Sequence, residues 1–88
     1  MIQFKDIKEY KDENVQKILR ELGMEDLACA LINTGEDIKE KIFKNMSERA
    51  VNILKEEIDK YSKMTAKELL IELHQCKIAE IMKDTGND

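Results

Sequence analysis

Asp12-Glu-Asn-Val-Gln-Lys-Ile-Leu-Arg-Glu-Leu-Gly23 is the stretch that decides the fold class. Its apolar residues Val15, Ile18, Leu19 and Leu22 fall at i, i+3, i+4 and i+7, the spacing that gathers side chains on one face of a helix. Asp12 is placed to cap the free amides at the helix start, and Gly23 to supply a left-handed stop. The same period continues outward in both directions. Downstream, Leu27, Ala28 and Leu31 mark a helix from near Met24 to about Asn33-Thr34-Gly35. Thr34 with Asp37 forms a variant capping box that opens a helix carrying Ile38, Ile42 and Phe43. Asn45 or Ser47 caps a fifth helix with Ala50, Val51, Leu54, Ile58 and Tyr61 on its apolar side. Thr65-Ala-Lys-Glu68 is a capping box for a last helix expected from Ala66 to about Lys83, before Gly86. Upstream, Phe4 and Ile7 mark a short helix ending near Tyr10.

Composition agrees with this pattern. A chain of 88 residues allows one domain, here residues 1–88. With 42% apolar and 39% charged residues it can build a modest core only if its apolar side chains share faces. It has no Pro, three Gly and 5% aromatics, which excludes an all-β sandwich, where turn residues recur about every 8–12 positions. The expected fold is all-α, about six helices with the fifth and sixth longest. Val15, Ile18, Leu19, Leu22, Leu27, Leu31, Ile42, Leu54 and Ile58 are expected to be buried.

A net charge of −4 and a pI near 5.1 argue against nucleic acid, whose phosphates call for a basic patch. No apolar run is long enough to span a bilayer, and the N-terminal residues lack a signal-peptide apolar stretch. The expectation is a soluble, cytoplasmic protein without membrane insertion. Cys29 and Cys76 are then reduced packing residues, not joined in a disulfide. The single histidine, His74, lies two residues before Cys76; on a helix these point about 200° apart and cannot chelate one ion. The pairs Asp12-Glu13, Glu36-Asp37 and Glu56-Glu57 are neighbours in sequence and do not share a helix face. No phosphate loop, nucleophile elbow or EF-hand loop is present. No catalytic, cofactor-binding or metal-binding residue is expected, and the chain is not expected to be an enzyme.

What remains is the placement of charge and of surplus apolar residues. On the fifth helix, Arg49, Asn52, Glu56 and Lys60 form a polar ridge opposite Ala50, Leu54 and Ile58, flanked by Glu57. Such a ridge is either an ordinary solvated face, with pairs such as Asn52 to Glu56 and Glu56 to Lys60, or a docking surface for opposed charges on a partner. The last helix is apolar on two sides: Ala66, Leu69, Leu70, Leu73 and Cys76 form one stripe, and Ile71, Ile78 and Met82 a second. The second stripe is expected either to pack on another neighbour or to serve as a second interface, for a partner groove or self-association.

At these residues the chain resembles the FliG C-terminal domain family of flagellar motor switch proteins. The resemblance runs through Val15 to Leu22, Asp26 to Leu31, Ile38 to Ala50 and Leu54 to Ile58, with Lys41-Ile-Phe-Lys-Asn-Met-Ser-Glu-Arg-Ala50 as its specific part. It extends from Met1-Ile-Gln-Phe4, similar to the family's Met-Phe-x-Phe hinge, to the last helix around Gln75-Cys-Lys-Ile78. It implies a six-helix, armadillo-like α–α superhelix without enzymatic activity. It also implies a rotor module at the cytoplasmic face of the inner membrane, in the flagellar basal body. There, charges on an exposed helix would meet the cytoplasmic loop of a MotA-like stator and generate torque, and other switch proteins would be further partners. Carried over by position, the stator-facing residues are Arg49, Glu56 and Glu57, with Glu where Asp is commoner. The family's Ala-Leu-Lys-Gly reads Ala30-Leu31-Ile32-Asn33, so Ile32 stands where a ridge lysine would be. The Gly-Pro-Val-Arg-Leu link is replaced by Ser62-Lys-Met-Thr65, and the family's N-terminal and middle domains have no counterpart in this sequence. Two origins stay open: one domain of a longer switch protein, or a free-standing FliG-like adaptor.

Overall fold

The periodic runs fold as helices. In the computed structural model, which describes residues 2–65 and 67–86, a 3-10 helix Phe4–Glu9 precedes five α-helices. These are α1 (Asp12–Arg20), α2 (Met24–Leu31), α3 (Glu36–Phe43), α4 (Glu48–Ser62) and α5 (Lys67–Thr85), joined by links of two to four residues. Among the described residues there is no strand, and α4 and α5 are the longest elements, as the spacing predicts. The arrangement agrees with the armadillo-like α–α architecture implied by the resemblance.

Several helix ends differ from expectation. The first element is a 3-10 turn, tightened by an Asp6 carboxylate that accepts the Gln3 N–H at 2.9 Å. Asp12 does not cap α1; it is the first helical residue, and its carboxylate turns to Lys41 at 3.1 Å and Lys44 at 3.5 Å. Gly23 is not a left-handed stop: at φ −85° it precedes α2, and its N–H donates to Asp26 Oδ2 at 3.1 Å. Thr34 caps backward, its hydroxyl donating to the Leu31 carbonyl, while Gly35 stands at the start of α3. Ser47 caps α4, accepting the Ala50 N–H at 3.1 Å. Asn45 instead ties α3 to α1, donating to the Lys41 carbonyl and accepting from Gln16. Ala66, expected to begin the last helix, lies outside the described residues. Gly86, at φ +72°, closes α5 in the left-handed region that glycine adopts without strain.

The core centres on α2, where Leu27, Ala28, Cys29, Ala30 and Leu31 are all buried. A helix buried all round needs neighbours on several sides, and α2 packs extensively against both α4 and α5. Val15, Ile18, Ile42 and Leu54 are buried as expected, but Leu19, Leu22 and Ile58 are half-buried at the core margin. The largest difference is on α5. Ile71, Ile78 and Met82 are buried core residues and offer no interface, whereas Leu69 and Leu73 are 71% and 64% exposed. The neighbours α1 and α2 and the 3-10 helix lie against the Ile71 side, so the stripe with more leucines is left outward. Cys29 is buried, but Cys76 faces solvent and is not a packing residue.

One turn of α5 clasps α2. Gln75 Nε2 donates to the Ala30 carbonyl at 2.8 Å, satisfying a backbone acceptor near the C-terminal end of α2. His74 Nδ1 lies 3.0 Å from Asp26 Oδ1, and Lys77 reaches both Asp26 oxygens at 3.1 and 3.2 Å. Burial alone would push the Asp26 carboxyl up. The Gly23 N–H, Lys77 and His74 outweigh it and hold the carboxyl below its ordinary value. At the other end of α5, the Tyr10 hydroxyl donates to the buried Met82 carbonyl at 3.3 Å.

Truncating the fully buried Leu54 to Ala should cost about 2–5 kcal/mol, a large part of the stability of so small a domain. Urea denaturation followed by circular dichroism measures it, and a loss near zero would displace Leu54 from the core. Asp26 should show itself in the pH dependence. A carboxyl whose folded pKa is depressed stabilises the fold above its unfolded value, about 3.9, and that contribution is lost as pH falls through the folded value. Asp12 and Asp37, held low by hydrogen bonds from Lys41 and Lys8, act in the same direction. Asp26→Asn should therefore lower the urea midpoint at pH 7 and flatten its fall as pH drops below the unfolded carboxyl value. An unchanged acid limb would show that the Asp26 cluster contributes nothing to stability.

Candidate functional site: the charged ridge of α4

The ridge is positioned by the apolar side of the same helix. Leu54 is fully buried, and Ala50, Val51, Ile58 and Tyr61 are half-buried, so α4 is held against α2 and turns its opposite side outward. Arg49, Asn52, Glu56 and Lys60 are all exposed on that outward side. The Ser47 cap and Glu48 in the first turn complement the positive end of the helix dipole, and Lys60 in the last turn complements the negative end.

Arg49, Asn52 and Glu56 come together with Glu48 and Ile53 around one open hollow. Glu57 is half-buried and points around the helix, where its charge, with that of Glu25, acts on Tyr61. Burial is the main cause, and the Glu25 charge the next, of a Tyr61 hydroxyl pushed above its ordinary value. Ile32 does not join the hollow; it is half-buried at the C-terminal end of α2. Lys60 leans over the Tyr61 ring, its Nζ 5.3 Å from the ring centre, and does not pair with Glu56.

Ion pairs tie several other charges into the fold, Lys8 with Asp37, Lys41 and Lys44 with Asp12, and Lys77 with Asp26, and Lys63 pairs with Asp59 at the end of α4 itself. Among the described residues none forms a salt bridge with Arg49, Glu56 or Glu57. The helical pairs expected for an ordinary solvated face, Asn52 to Glu56 and Glu56 to Lys60, do not form. Ile53 was not part of the ridge expected from sequence, although its place four residues after Arg49 and three before Glu56 was the signal for it.

No group of three or more His, Cys, Asp or Glu side chains among the described residues could hold a metal ion. His74 is engaged by Asp26, and burial with the Glu25 and Asp26 charges pushes the Cys29 thiol up, which keeps it protonated. None of the described helices is long and apolar enough to cross a membrane.

The family model for the FliG C-terminal domain matches residues 1–88. The chain is similar to the flagellar motor switch protein FliG of Thermotoga maritima, 41% identical over 83 residues, which cover 94% of this chain and 24% of that protein. The FliG protein of Borreliella burgdorferi is 37% identical over 83 residues, and that of Bacillus subtilis 31%, with the same coverage of each chain. The chain thus spans 24% of the length of these relatives. A family match along the whole sequence, identity over nearly all of it and an all-helical fold in the expected order lead to one assignment: the chain belongs to the FliG C-terminal domain family.

Proposed function

We propose that this chain is a non-enzymatic rotor module of a flagellar motor switch, which docks the cytoplasmic loop of a MotA-like stator through the ridge of α4. The observation that carries this reading is the pair Arg49 and Glu56, exposed on one side of a helix anchored by Leu54 and without ion-pair partners among the described residues. Unpaired surface charges held on a rigid helix present a fixed potential, which steers an oppositely patterned partner and sets its orientation more than its affinity. Torque would follow from repeated engagement and release of such contacts as the rotor passes the stator. Glu57 adds a second negative charge at the edge of the ridge, and Ile32 removes a positive one that the family pattern supplies. The module would act in the cytoplasm, at the inner face of the membrane, beside other switch proteins.

Arg49→Glu removes no core contact, so stability should change by no more than about 0.5 kcal/mol. The same exchange should slow association with a purified stator cytoplasmic fragment at least about tenfold at low salt, the difference shrinking as salt screens the charges. Glu56→Lys should alter the rate comparably, and a reciprocal charge change on the fragment should restore part of each loss. Ile32→Lys should strengthen binding, because a lysine at a half-buried position can extend its ammonium to solvent. Stopped-flow kinetics across a salt series measures all four proteins, and identical rates would reject the stator-docking reading.

A second reading, a free-standing adaptor that self-associates, is favoured by the outward Leu69 and Leu73 one helical turn apart on α5. Sedimentation at increasing concentration should then show dimers that Leu73→Glu abolishes. A monomer at every concentration removes this reading.

A further inference from the structure

An apolar residue interrupts the charged stripe of α4. Ile53 lies between Arg49 and Glu56 at helical spacing, is 42% exposed, and lines the same open hollow as Glu48, Arg49, Asn52 and Glu56. Its neighbour Leu54 already supplies the buried contact of this turn. A β-branched residue at a solvent-facing helical position also gains nothing in helix propensity over Lys, Glu or Ala. A single exposed isoleucine is ordinary by itself. Around it lie Glu48, Arg49, Asn52 and Glu56, polar and charged side chains without ion pairs among the described residues, in the arrangement of an apolar centre with a polar rim.

We infer that Ile53 is the apolar anchor of the docking surface. The complementary partner is a helix or loop segment with one apolar side chain to seat on Ile53, an acidic group to meet Arg49 and a basic group to meet Glu56 and Glu48. This inference rests on the docking ridge proposed above and assigns its parts different tasks. The charges govern encounter, and the desolvated contact at Ile53 governs how long the complex lasts.

The experiment measures association and dissociation of the stator cytoplasmic fragment with wild type, Ile53→Ser, Ile53→Ala and Arg49→Glu over a salt series, with circular dichroism melts of each. Both Ile53 variants should dissociate about tenfold faster with the salt dependence of association unchanged, while Arg49→Glu changes association and its salt slope. The alanine variant keeps the test decisive should the serine variant be poorly folded. If Arg49→Glu impairs binding but dissociation from Ile53→Ala matches wild type, the anchor is overturned and the ridge stands. If none of the variants alters binding, the ridge is overturned and the anchor with it.

Discussion

The burial of α2 is the constraint on which the rest of the structure depends. Five consecutive residues, Leu27 to Leu31, are buried, so the helix is enclosed on every side beyond its first turn, where Glu25 remains exposed. A short helix so enclosed must have its apolar surface covered from several directions and its terminal backbone groups satisfied by protein. The longest helices, α4 and α5, supply the cover. Gln75 bonds the Ala30 carbonyl, and Gly23 finds the Asp26 carboxylate, itself held by His74 and Lys77. Among the described residues no buried side-chain nitrogen or oxygen lacks a partner, as a core this small requires.

This enclosure also orients the ridge. Because Leu54 enters the core against α2, the angular position of Arg49, Ile53 and Glu56 about α4 is set by packing. A docking surface of the proposed kind, on a helix locked in this way, would lose little conformational entropy on binding beyond that of its own side chains. The charges near the chain's helix junctions are used differently. Asp12 joins α1 to α3 through Lys41 and Lys44, and Asp37 joins α3 to Lys8, so these carboxylates hold elements together while those of the ridge remain available.

Much of the architecture was legible because each helix carries its own period. The order and number of the elements follow from apolar spacing, and Ser47 caps α4 as its place before the apolar run suggests. The exposure of Arg49 and Glu56 was legible for the same reason, since α4 has a single apolar stripe and its polar side can face only outward. Caps at Asp12, Gly23 and Thr34 were misplaced because their side chains or backbone meet partners that are distant in sequence or behind them in the chain. Asp12 is taken by Lys41, and Thr34 turns back to Leu31. Membership of the FliG C-terminal domain family was legible in the run from Lys41 to Ala50.

By itself the sequence determined which segments are helical, which face of α4 is polar and to which family the chain belongs, since these properties reside in local spacing and residue identity. Only the tertiary structure decided between the two apolar stripes of α5. Both repeat at helical spacing, and the stripe with Leu69 and Leu73 is no less hydrophobic than that with Ile71, Ile78 and Met82. Local periodicity cannot rank two equivalent faces. The choice is made by the neighbours, because α1, α2 and the 3-10 helix close on one side of α5 only, burying Ile78 and Met82 completely and leaving Leu69 and Leu73 to solvent.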